Sequence, residues 1–90
     1  MTREQRQHNV RLGILKLLDE SGDYMFPEPQ LYTQTCIAVA PPPIRSEFDN
    51  SIRAMESRRW ITGVRDEFDD VKWRITDLGR SILAEAPTRS

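Results

Sequence analysis

The chain is poor in the residues from which active sites and crosslinks are built. Of 90 residues, one is histidine, one is cysteine and four are glycine. Cys36 on its own makes neither an internal disulfide nor a cysteine-based zinc site, in keeping with a reducing compartment. His8 lies among polar residues at the start of the first predicted helix and reads as a solvated side chain. With no second histidine, the many serines and aspartates acquire no nucleophile–base arrangement. No glycine-rich phosphate loop is present. Asp66, Glu67, Asp69 and Asp70 are spaced somewhat like a calcium loop but lack its glycine and distal glutamate, so they read as a solvated turn. The chain is therefore not expected to be an enzyme or to need a metal or cofactor. No apolar run approaches the roughly 20 residues of a membrane span, and MTREQRQ is not followed by a secretory pattern. The expected location is the cytoplasm, without membrane association.

What is present is a small globular composition, 38% hydrophobic and 30% charged. It fits one domain over residues 1–86 with a tail at 87–90. A domain of this size has a thin core, and a partner would help to cover it.

Hydrophobic spacing supplies the elements. Thr2 to Glu20 predicts a helix with Val10, Ile14, Leu17 and Leu18 on one stripe. Leu12 and Leu15 lie off that stripe. Either the helix is central and touched from two sides, or these leucines meet a second copy of the chain. Tyr24-Met25-Phe26 is a candidate short strand. Pro29 to Val39 is ambiguous, with β-branched Thr33, Thr35, Ile37 and Val39 against a helical face of Leu31, Thr35, Ala38 and Val39; helix is preferred. Pro41-Pro42-Pro43 is read as a turn between helices rather than a proline-rich ligand, because PxxP-type spacing is missing. A third helix, from about Pro43 to Arg58, places Ile44, Phe48, Ile52 and Met55 inward. Ser46, Asn50, Arg53 and Ser57 then face outward, flanked by Arg45 and Asp49. Trp60 to Arg65, and Val71, Trp73 and Ile75 alternating with Lys72 and Arg74, form a hairpin around the acidic turn. Thr76-Asp77 caps a last helix to Ala86 that buries Leu78, Ile82 and Leu83.

The resulting class is α+β, mainly α with a small hairpin, in the order α-(β)-α-α-β-β-α. The segment ESRRWITGVRDEFDDVKWRITDLGRSIL resembles the wing region of MarR-like and PadR-like transcription regulators, down to an apolar-Thr-x-x-Gly-Arg step at Ile75, Thr76, Gly79 and Arg80. The resemblance implies a winged helix-turn-helix domain of bacterial, archaeal or phage origin. It would bind duplex DNA, commonly as a homodimer, and regulate transcription by occupying an operator. The third helix would then enter the major groove, with Arg45 reaching guanine, Asn50 adenine, and Ser46 base or phosphate. Arg53, Arg58 and Arg59 would neutralise phosphates, with Lys72 and Arg74 helping from the hairpin. Two features run the other way. Thirteen basic residues against fourteen acidic ones give a net charge of -1, and the wing tip carries four carboxylates where this family commonly places Arg or Lys. The alternative is a winged-helix protein-association module that presents Phe68 to a partner at the acidic tip.

Overall fold

The structure, a computed structural model, describes residues 2–86; the tail expected at 87–90 lies outside them. α1 (Arg3–Glu20) begins at Thr2, whose hydroxyl accepts from the Gln5 N–H at 3.1 Å. Its buried arc is Val10, Ile14, Leu15 and Leu18. The arc is rotated from the expected stripe, so Leu15 enters the core and Leu17 is left half-buried at its rim. The cause is that α1 is the central element, touched by the other three helices and by the sheet.

The first strand is β1 (Phe26–Pro27), shifted from Tyr24–Phe26, and Tyr24 is exposed. α2 (Glu28–Ala38) is helical despite its β-branched residues. Thr33 and Thr35 turn their hydroxyls back onto the carbonyls of Pro29 and Leu31, at 3.0 and 2.7 Å, a contact open to threonine inside a helix. Leu31 and Thr35 face the core as expected, whereas Ala38 is exposed and Val39 is buried just beyond the helix in extended backbone. The proline turn follows, with a cis Ala40–Pro41 bond. The Tyr32 hydroxyl donates to the Pro43 carbonyl at 3.1 Å.

α3 (Arg45–Ser57) buries Phe48, Ser51, Ile52 and Met55. Ile44 is not part of this core: it is the residue before the first turn and is 63% exposed. α3 ends with the Trp60 N–H on the Met55 carbonyl and the Arg59 N–H on the Glu56 carbonyl, while Arg59 holds φ at 61°. This is the Schellman closure, with arginine where glycine is usual.

β2 (Ile61–Arg65) and β3 (Val71–Ile75) form the hairpin, and β1 adds to the outer edge of β3, giving an antiparallel sheet in the order β1-β3-β2. Phe26 and Gly63 both pair with Trp73. The tip is closed by Asp66, whose Oδ1 accepts from the N–H groups of Phe68 and Asp70 at 2.8 and 3.0 Å.

α4 (Asp77–Glu85) is docked by the Thr-x-x-Gly-Arg step. Thr76 Oγ1 accepts from the Gly79 N–H at 3.1 Å and lies 2.6 and 2.9 Å from the carbonyls of Arg59 and Trp60, to which it donates. A Cβ on Gly79 would stand 2.1 Å from the Trp60 carbonyl oxygen, so only glycine allows this approach. Arg80 then pairs with Asp19 on α1 and Asp77. Leu78, expected in the core, is 50% exposed because Gly79 occupies the inward position. Ile82 and Leu83 are half-buried against the core. Four helices around a three-stranded sheet reproduce the expected element order.

Candidate nucleic-acid interface

The outward stripe of α3 is uncovered. Ser46, Asn50, Arg53 and Ser57 are all exposed, opposite the buried Phe48, Ile52 and Met55. On either side of this stripe lies a depression, and the two differ in charge.

Towards the hairpin is an open groove of about 500 Å³ with Gly63, Val71 and Trp73 in its lining. Arg45, Arg53 and Arg65 line it, but so do Glu28, Asp49, Glu56, Asp69 and Asp70. Arg45 is already engaged by Glu28 and Asp49, each at 3.1 Å. Its guanidinium also lies 5.2 Å from the Tyr32 ring centre and 5.6 Å from that of Phe48. Base contact by Arg45 would have to break these pairs, so the structure gives it a local ion-pairing role that sequence spacing only partly reveals. Glu28 accepts in addition from Trp73 Nε1 at 3.3 Å.

Towards α1 is a narrower cleft of about 240 Å³, lined by Arg3, Arg6, Arg11, Gln7, Asn50 and a single acid, Glu47, together with Val10 and Ser51. Arg6 reaches the two Glu47 oxygens at 3.2 and 3.3 Å and also donates to the Pro41 carbonyl. Arg6, and to a lesser degree the Ile44 N–H, hold the Glu47 carboxyl below its ordinary range. Arg11 is different. Its Nε is buried and has no hydrogen-bond partner among the described residues. Burial, and then the neighbouring Arg58 charge, lower its pKa from the usual arginine value. Arg58 is exposed and stacks its guanidinium 5.2 Å from the Trp60 ring centre.

No family model, curated protein or solved structure matches this chain.

The expected site residues are only partly brought together. Ser46, Asn50 and Arg53 share the exposed stripe, and Arg58 and Arg59 follow at its C-terminal end. Lys72 and Arg74 do not join them. They pair with Val64 and Thr62, so strand alternation puts them on the face opposite the Gly63, Val71 and Trp73 side that lines the groove. Leu15 cannot serve a second copy as expected, since it is 1% exposed within its own chain. Leu12 is half-buried in a cleft with Trp60 and Ile82 and is what remains of that surface. Phe68 stands 82% exposed at the tip. Arg3, Arg6 and Arg11 are absent from the expected site, although Arg3, Gln7 and Arg11 at four-residue spacing form a polar stripe that could have been read as one helical face.

Proposed function

We propose that the chain is a winged helix-turn-helix module that binds duplex DNA with α3 in the major groove and regulates transcription by occupying its site. The observation that carries this reading is the uncovered polar stripe of α3 beside a β-ribbon, with α2 and α3 joined by a short rigid turn. Asn50 and Arg53 are the residues best suited to base edges, adenine and guanine respectively, and Ser46 suits base or phosphate near the helix start. Sequence-specific binding would follow from these side chains, while phosphates set the affinity. A homodimer would present two such helices to a two-fold site.

The test is duplex binding by fluorescence anisotropy across a salt series. Binding that weakens steeply between about 50 and 200 mM salt is expected, because neutralised phosphates release counterions. No binding at the lowest salt would remove the reading.

A second reading, a protein-association module, is favoured by one specific pair of features: the five carboxylates of the hairpin groove and the exposed Phe68 beside them. Loss of a captured protein on Phe68→Ala, with no duplex binding by the parent chain, would select it. Retained capture by that variant would count against it.

A further inference from the structure

A buried guanidinium nitrogen with nothing to bond is uncommon, and the groups around Arg11 make it more so. Arg11 lines two adjoining clefts. In one it meets Arg3, Arg6 and Asn50; in the other it meets Arg58, whose guanidinium is fixed over Trp60. Glu4 and Glu85 also line the second cleft. Neither forms an ion pair with Arg11 or Arg58 among the described residues, and Arg58 is the charge that acts on Arg11. The one acid of the first cleft, Glu47, is held by Arg6 and the Ile44 N–H. Two like charges are thus kept together, one of them partly desolvated, without a counterion from the chain. Buried unpaired donors of this kind are commonly the mark of an ion or ligand that completes them.

We infer that Arg11 and Arg58, with Arg3 and Asn50 at the mouth, form an oxyanion site that holds a backbone phosphate of duplex DNA on the α1 side of α3. Guanidinium groups suit this chemistry because their planar N–H pairs match phosphate oxygens. The location suits a phosphodiester, since Asn50 belongs both to this cleft and to the outward stripe of α3. A strand passing beside a helix seated in the major groove would run along this flank. The carboxylates of the opposite groove would repel phosphates there. This assignment rests on the DNA-binding reading above and adds which side of α3 carries the grip.

The experiment compares Arg11→Met, Arg58→Gln and the parent chain for binding to several unrelated duplexes over a salt series, with thermal melts of each protein. Each variant is expected to bind every duplex about tenfold more weakly near 0.1 M salt and to lower the slope of log affinity on log salt by about 1. Arg11→Met should melt no lower than the parent, because it removes an unpaired and repelled charge. Arg58 is exposed, so Arg58→Gln supplies the binding test even where Arg11→Met fails to fold. Duplex binding with slopes unchanged in the folded variants would overturn the assignment and leave the DNA reading standing. A parent chain that binds no duplex overturns both. Melting in sodium phosphate against sodium chloride at equal ionic strength then tells the sources apart: a phosphate-specific rise that Arg11→Met abolishes would mean a site for free phosphate and not for a nucleic-acid strand.

Discussion

The two flanks of α3 are built from the same number of arginines and behave differently. The hairpin groove sets Arg45, Arg53 and Arg65 among five carboxylates, and the α1 cleft sets Arg3, Arg6 and Arg11 beside one. Near-neutral overall charge therefore conceals a steep local gradient across one helix. What a polyanion meets is the facing surface, so a net charge of -1 neither grants nor forbids DNA binding. The contrast also separates arginines by availability. Arg45 is tied to Glu28 and Asp49. Arg11 has no partner for its Nε.

The largest expected effect comes from erasing the contrast. Glu56→Lys with Asp70→Lys puts two positive charges into the hairpin groove at exposed positions, where stability should change by less than about 0.5 kcal/mol each. If DNA spans both flanks, affinity should rise by about tenfold per new phosphate contact near 0.1 M salt, and the salt slope should steepen. An unchanged slope in the double variant would mean that the groove does not face the duplex. Next comes Glu47, the only acid of the other cleft. Glu47→Gln should cost on the order of 1 kcal/mol or less, since the pair with Arg6 is partly exposed, while duplex affinity rises several-fold as Arg6 is released. The same pair has a pH signature. The folded-state carboxyl is held below its usual 4.5, so its contribution is complete above that value and is lost as pH falls through the lower one. Denaturant melts from neutral pH to about pH 3 should show Glu47→Gln losing less stability than the parent; equal losses would sink the attribution.

How much of this was legible beforehand depended on whether a residue's role followed from local pattern or from what packs against it. Alternation at Val71, Trp73 and Ile75 and the Thr76 cap are local, and the structure repeats them. Leu15, Ile44 and Leu78 are not. Each has apolar chemistry and helical spacing that fit either side, and only the arrangement of neighbours decides: α1 is surrounded, α3 starts one residue after Ile44, and Gly79 takes the inward place on α4. The candidate interface divides likewise. The outward stripe of α3 follows from its inward one. The pairing of Arg45 with Asp49 is visible at four-residue spacing, but its pairing with Glu28 joins α2 to α3 and is not. Arg11 reads as an ordinary surface arginine until Arg58 is brought beside it.

A smaller effect is expected where the two flanks meet, at the end of α3. Arg59 holds φ at 61°, a conformation costing an L-residue roughly 1–2 kcal/mol that glycine avoids at the expense of greater freedom when unfolded. Arg59→Gly should therefore stabilise the fold by about 0.5–1 kcal/mol and raise its melting temperature by a few degrees. Calorimetry showing a lower melting temperature would mean that the arginine side chain supplies more than the strain removes.

The smallest effect is expected from the residues that sequence alone assigned to the wing. Lys72 and Arg74 lie across the sheet from the α3 groove, so removing both charges by Lys72→Ala and Arg74→Ala takes nothing from either flank. Surface changes of this kind are within about 0.5 kcal/mol, which corresponds to about a twofold change in affinity. Duplex titration of the double variant should give the parent's salt slope. A slope lower by about 2 would instead make the outer face of the hairpin the phosphate surface. In that case the strand would have to pass the wing on the side away from its groove, and the polarity drawn between the two flanks of α3 would no longer govern how DNA is held.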